Sequence, residues 1–368
     1  MQRDASLDVI RIVALFSVIS VHSFLHTGFY SQIVSGERMY VAVLARTMFM
    51  VCVPLFMILT GYLMNKKQIS KKYYMGLEKT ISIYILASLA CILYKVYCEE
   101  MQYTIKKVIL EILNFSAANY AWYVEMYIGL YLLIPFLNII WHNLKTRKEK
   151  LILLMTFILL TALPGVINSH NFVLNGWWLN PASSKEYNAI IPDWWAGIYP
   201  ITYYFIGCYL NEFKLKIPKL TNIVAFILAV VLIGSFNYYR SYGVVFVKGA
   251  YQNWGSLFNV IMTVLLFNLL LNINFNQLSN GIKNFLGKIS NLCFGAYLVS
   301  WIFDSAYYSI LNAIIPEMLE SLNWYFVFVA TIFVCSLILS AILNCIQKGI
   351  VVGSKNLKSK IMCEVHNA

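Results

Sequence analysis

The stretch LDVIRIVALFSVISVH, residues 7–22, decides how the chain is read. It is an apolar run long enough to enter a membrane, yet it carries Asp8 and Arg11 near its start and His22 at its far end. An ionisable group in hydrocarbon is costly unless paired or hydrated, so each one is a functional question by default. Eleven positions separate Arg11 from His22. On a helix that is three turns plus about 20°, or roughly 16 Å of rise, so both side chains share one face. Asp8, three residues before Arg11, can pair with its guanidinium. Ala14 and Val18 keep the path between the two ends narrow or open, and the helix then carries one groove with an arginine at one end and a histidine at the other.

The rest of the chain repeats this apolar pattern. Of its 368 residues 60% are hydrophobic and 12% charged, against roughly 45–50% and 25% in soluble domains. Ten spans are expected, at 8–26, 41–64, 80–97, 122–142, 150–168, 195–212, 220–237, 255–273, 289–311 and 323–346. The fold class is therefore an all-α integral membrane protein, a polytopic bundle of about ten transmembrane helices. The net charge of +12 would suggest nucleic acid in a soluble protein, but the distribution of the 28 basic residues points elsewhere. With the N-terminus inside, inner segments and the inner span ends, which carry Arg11 and Lys150, hold 20 of them and outer segments 6, with Arg46 and Lys95 within spans. That bias puts both termini in the cytoplasm and leaves no polyanion partner to explain. No small-residue cleavage site follows the first apolar run, so it reads as a span and not a signal peptide. The eight cysteines offer no external pair and read as small apolar packers.

The ionisable candidates within spans are Arg11, His22, Arg46, Lys95, Glu125 and Asp304. Lys95 sits near a span end and reads as snorkelling to the interface. Asp304 either faces a wet cavity or pairs with a neighbouring helix. Glu125 is either a site residue or a partner for Arg11 or Arg46. Histidine suits proton transfer near neutral pH, and a guanidinium suits bidentate phosphate binding. The Arg11–His22 separation is about the reach of an extended pantetheine arm, so a phosphorylated thioester held at Arg11 could present its acyl group near His22. The bland alternative is a snorkelling arginine and a histidine bonded to a neighbouring helix. No metal is expected, because His22 and His26 lie one turn apart with no third ligand in the span. The pairs Trp177–Trp178 and Trp194–Trp195, in the long loop before the sixth span, read as interfacial belt residues or as a sugar-stacking platform.

The residues resemble those of the acyltransferase type 3 family, bacterial membrane enzymes that acylate surface polysaccharides. The arginine, ten residues, histidine pattern of 11–22 is similar to that family's first span. CVPLFMILTGYLMNKKQISKKYY (52–74) resembles its second span and inner loop, AWYVEMYIGLYLLIPFLN (121–138) its fourth span, and SNLCFGAYLVSWIFD (290–304) a late one. The chain departs from the pattern in three ways. Lysines, including Lys71 and Lys72, stand where many members have loop arginines. Tyr297, Leu298, Val299 and Ser300 stand where many members place a second histidine. A basic tail stands where larger relatives fuse a soluble esterase-like domain.

The resemblance implies a membrane O-acyltransferase domain at 1–346 and a short basic cytoplasmic tail at 347–368, in a bacterial inner membrane. The donor would be acetyl-coenzyme A as co-substrate, and the acceptor a hydroxyl of a surface glycan, such as O-antigen or capsule, or its lipid-linked precursor. His22 and Glu125 would be catalytic, with His22 as base or as a group orienting the thioester carbonyl. Arg11, Lys71 and Lys72 would bind the donor, and Trp122, Tyr123, Trp177 and Trp178 the acceptor. A reading from another class remains open: a transporter or flippase for a lipid-linked saccharide or small anion, with His22, Arg46 and Glu125 as a proton relay. The charge asymmetry makes a first prediction. A reporter fused after Ala368 is cytoplasmic and one inserted near Ser183 is external; an external C-terminus would overturn the orientation.

Overall fold

The structure is a computed structural model that describes residues 4–366, with side-chain surroundings given through Ile350 except at Asn276. In chain order the helices are α1 (Ala5–His26), α2 (Gly36–Phe49), α3 (Cys52–Met64), α4 (Lys71–Met75), α5 (Leu77–Cys98), α6 (Ile105–Leu113), α7 (Trp122–Asn143), α8 (Arg147–Phe157) and α9 (Leu163–Ile167), followed by α10 (Tyr199–Glu212), α11 (Lys219–Ser241), α12 (Leu257–Leu271), α13 (Asn280–Ile314), α14 (Met318–Ser321) and α15 (Tyr325–His366). Among the described residues β-pairing is confined to two isolated bridges, Ile33 with Val245 and Val34 with Tyr242. The seven cysteines whose side chains are described are all free, and Cys363 lies outside that set.

Prolines articulate the spans. The second crossing is a 29-residue segment, Gly36–Met64. It breaks at Met50–Val51, just ahead of Pro54, whose ring excludes an uninterrupted helix. The fifth crossing widens into a π turn at Ile158–Ala162 ahead of Pro164. Pro135, inside α7, cannot donate to the carbonyl of Tyr131 four residues back. That orphaned oxygen accepts instead from Tyr73 Oη at 2.6 Å, and Tyr131 Oη donates to the Tyr73 carbonyl at 2.7 Å. The two rings stack with centroids 4.5 Å apart. This reciprocal pair ties the 66–76 segment to α7.

Ten crossings were expected, and nine helices among the described residues are long and apolar enough to span a membrane. The difference is at 195–212, where α10 has only 14 residues, about 21 Å of rise against roughly 30 Å of hydrocarbon. It is nevertheless threaded through the bundle. Near its start Tyr203 Oη donates to the Trp254 carbonyl, just before α12. At its end Glu212 meets Lys150, in the first turns of α8, at 2.7 Å. Its close partner is α3, and two glycines make that approach possible. A Cβ on Gly61 would lie 2.0 Å from the Tyr204 carbonyl oxygen, and one on Gly207 would lie 2.1 Å from that of Ile58. Small residues of this kind let membrane helices touch through their backbones. α13, with 35 residues, packs against α1, α5 and α15 and so borders the face of α1 that carries Arg11 and His22.

The Tyr73–Tyr131 pair makes a second prediction. Tyr73→Phe leaves the Tyr131 carbonyl buried without a partner and lowers stability by about 1–3 kcal/mol. In a Pro135→Ala background, where the helix regains its own N–H, the same substitution costs clearly less. Thermal unfolding of the four proteins in detergent measures both; equal losses in the two backgrounds would refute the account.

Candidate active site

The N-terminal end of α1 is capped by Asp4, whose side chain accepts from Ser6 N at 2.9 Å. Two turns on, the Arg11 guanidinium meets Asp8 Oδ1 at 3.4 Å and donates to Ser290 Oγ of α13 at 3.2 Å. The expected Asp8 pair forms, and it aims the guanidinium across to α13.

Arg11 opens into a cavity of about 370 Å³ between α1, α3, α5, α7, α13 and α15. Its lining changes character along α1, α5 and α13. At the Arg11 end stand Lys79 and Thr80 of α5, Ser290 and Asn291 of α13, and Asn344 of α15, facing Leu63 and Met64 of α3. Farther in come Phe56 and Tyr127, and the inner end is made by Val18, Val53, Tyr123 and Tyr297. A mouth with polar groups from four helices thus leads to an apolar, aromatic inner end. His22 is not in this lining. The lining on α1 reaches Val18, where Tyr297 and Tyr123 meet edge to face with centroids 5.8 Å apart and form the wall.

His22 lies just beyond that wall. Its Nδ1 is 3.5 Å from Asp304 Oδ2, and Asp304 is fully buried. Tyr120 Oη donates to the same Oδ2 at 2.8 Å, and the Tyr120 ring lies over the His22 ring with centroids 3.7 Å apart. His26 Nε2 is 2.8 Å from Tyr120 Oη. Since the phenol gives its proton to Asp304, Nε2 of His26 is assigned as the donor there. Tyr297 Oη donates to the Tyr120 main-chain carbonyl, which joins the cavity's end wall to the histidine cluster. The His22–Asp304 contact is one of charge proximity: His22 Nδ1 and Asp304 Oδ1 are buried without a hydrogen bond of their own.

The loop carrying Tyr120 is itself held. Lys95 Nζ donates to Asn119 Oδ1 at 3.2 Å, lies 3.7 Å from Glu111 Oε2 and sits 5.1 Å from the Trp301 ring centroid. Lys95 is buried, so the snorkelling expectation is corrected: α6 supplies a carboxylate that makes burial tolerable. Asp304, open between two readings in the sequence, pairs with a neighbouring helix.

The other expected site residues are distributed unevenly. Tyr123 lines the cavity, and Trp122 stacks on Trp254 with centroids 4.6 Å apart. Glu125 is exposed on the side of α7 opposite Tyr123 and Tyr127. The carboxylate beside Arg11 is that of Asp8, while Arg46 donates to Tyr30 Oη and lies over Phe246. Lys71 and Lys72 are exposed on α4, and the lysine in the cavity lining is Lys79. Nothing in the spacing of the sequence singles out Lys79 or Tyr120. Tyr297 was noted there only as part of a departure from pattern. Among the described residues no group of three or more His, Cys, Asp and Glu could hold a metal ion.

Trp177 and Trp178 belong to a separate cluster. Trp177 is 1% exposed beneath the buried Arg240, whose guanidinium lies 4.7 Å from its ring centroid. Trp178 is about half exposed and stacks on His170, centroids 5.0 Å apart. Arg240 Nη1 donates to the Ser169 carbonyl at 2.6 Å, pinning the start of this loop to α11. Burial holds the His170 imidazole below its ordinary pKa, and the nearby Arg240 charge acts in the same direction. The folded loop therefore favours neutral His170, while an opened loop lets it protonate. This contribution to stability is fully present above the ordinary pKa of about 6.5 and is lost as pH falls below it. Tryptic cleavage at exposed Lys185 is the measure: relative to His170→Gln, the wild-type chain becomes more susceptible between pH 7 and pH 5.5. A ratio independent of pH would refute this.

The chain matches the family model described as an acyltransferase domain, type 3, over residues 4–341, nearly its whole length. No curated protein and no solved structure matches it. A polytopic helical bundle with a polar-mouthed cavity ending beside a histidine–carboxylate pair is thus joined to a family assignment that covers the same residues: the chain belongs to the acyltransferase type 3 family.

Proposed function

We propose that this membrane acyltransferase is an O-acetyltransferase of a bacterial inner membrane, taking its acyl group from cytoplasmic acetyl-coenzyme A. The acceptor is a hydroxyl of a surface glycan or of its lipid-linked precursor. The observation that carries the reading is the cavity, with Arg11 and Lys79 at one end and Tyr297, bonded to the Tyr120 of the His22 cluster, at the other. Cationic groups at a mouth suit the phosphates of coenzyme A, and an apolar interior suits a pantetheine arm. Lys71 and Lys72, exposed one short segment before Lys79, are available to phosphates outside the mouth. In its separate cluster, the half-exposed Trp178 is the member of its pair that can offer a face to a sugar.

The chemistry follows from the groups present. His22 Nε2 removes the proton from the acceptor hydroxyl as its oxygen attacks the thioester carbonyl carbon. The new C–O bond forms, the C–S bond breaks, and the departing sulfur takes the proton from His22, giving the ester and the free coenzyme A thiol. Asp304 acts as a positioning residue, holding the Nδ1 proton and stabilising the imidazolium that forms in between. Tyr120 holds Asp304 in turn. No role in this step falls to Glu125, which faces away from the cavity.

The test is donor binding and glycan labelling on the same purified variants. His22→Ala loses transfer by a factor of about 100 to 10,000 while donor binding persists. Asp304→Asn lowers kcat and leaves the KM for acetyl-coenzyme A unchanged, whereas a merely structural loss would move both. Arg11→Ala weakens donor affinity first, by about 1.5–3 kcal/mol, and Arg11→Lys recovers only part of it. Full transfer by His22→Ala would remove the histidine from the mechanism. Movement of a saccharide or anion across vesicles without consumption of acetyl-coenzyme A would replace this reading by the transporter.

A further inference from the structure

The aromatic inner end of the cavity bears on which acyl group it accepts. Four side chains form that end: Val18 on α1, Val53 on α3, Tyr123 on α7 and Tyr297 on α13. Each is less than one tenth exposed. Tyr297 is the least free to move aside. Its phenol is bound to the Tyr120 carbonyl, its ring meets Tyr123 edge to face, and its neighbours Leu298 and Val299 are fully buried. Its helix is also locked against α15 at Gly295, where a Cβ would lie 2.5 Å from Ser340 Oγ. Tyr123 is backed in turn by Phe56, centroids 6.0 Å apart.

The depth of the cavity sharpens the point. From Arg11 to Val18 the helix rises seven residues, about 10 Å, against roughly 16 Å from Arg11 to His22. An arm anchored by phosphate at Arg11 therefore lies bent within the cavity, with its thioester and acyl group against Tyr297 and Tyr123.

We infer that Tyr297, backed by Tyr123, sets the acyl-chain length of the donor and restricts it to acetyl-sized groups. This rests on the acyltransfer reading above and adds a specificity-determining residue to it. In an unobstructed apolar channel each added methylene would tighten binding by burying more surface. Against the Tyr297 ring it does the reverse, since a hydrophobic pocket discriminates a single methylene by factors of about 10 to 200.

The experiment measures displacement of labelled acetyl-coenzyme A from the purified full chain by acetyl-, butyryl-, hexanoyl- and octanoyl-coenzyme A. The wild-type chain binds acetyl-coenzyme A about tenfold or more tighter than hexanoyl-coenzyme A. Tyr297→Ala shifts that ratio by about tenfold or more toward the longer chain, while Tyr297→Phe, which keeps the ring, preserves it. Val53→Ala, on a different helix, shifts it in the same direction by a smaller factor and decides the matter if Tyr297→Ala does not fold. Wild-type affinities that are flat or rising with chain length would overturn the inference, as would an unchanged ratio in the alanine variants. If the thioesters bind in the expected order but no glycan is labelled, the proposed reaction fails and the length selector stands. If no thioester binds, both fall.

Discussion

A fully buried carboxylate, Asp304, is the constraint around which the His22 end of the bundle is organised. An isolated carboxylate in such surroundings is several kcal/mol unfavourable unless its charge is matched or its lone pairs are filled. Here α1 brings His22, the loop before α7 brings Tyr120, and α13 holds the acid itself. Three segments far apart in the chain are thereby brought to one point. The same contacts fix the His22 ring, which lies against Tyr120 with centroids 3.7 Å apart and beside the acid.

That dependence extends outward. Tyr120 stays in place because its carbonyl accepts from Tyr297 and because Lys95 holds the adjacent Asn119. Lys95 is in turn a buried ammonium matched by Glu111 on α6. A chain of polar pairs therefore runs from α6 through α5 and the 114–121 loop to the histidine, each member satisfying a group that would otherwise be buried alone. The cavity borders this network at Tyr297. The polar mouth and the histidine cluster thus lie on either side of the Tyr123–Tyr297 ring pair.

Backbone chemistry shapes the scaffold that holds these groups. Pro135 frees a carbonyl in α7, and Tyr73 fills it, so a helix defect becomes an anchor for the loop leading to Lys79. Gly61 and Gly207 let α3 and α10 touch. A helix too short to cross hydrocarbon unaided can then be carried between longer neighbours, which is why counting by apolar length and counting by helices in the bundle differ by one.

The sequence by itself determined whatever depends on spacing along one helix. Composition makes the chain a helical membrane protein, and the eleven-residue interval puts Arg11 and His22 on one face. The three-residue interval pairs Asp8 with Arg11, as the structure has it. The resemblance carried by 7–22, 52–74, 121–138 and 290–304 agrees with the family found over 4–341. What only the tertiary structure decided are contacts between residues remote in the chain: Asp304 against His22, Tyr120 between them, Tyr297 across the cavity, Glu111 beside Lys95, Arg240 over Trp177. Helical periodicity states which way a side chain points from its own axis. It carries no information about which of the other helices lies there, and that is settled only when prolines, glycines and buried charges have fixed how the helices pack.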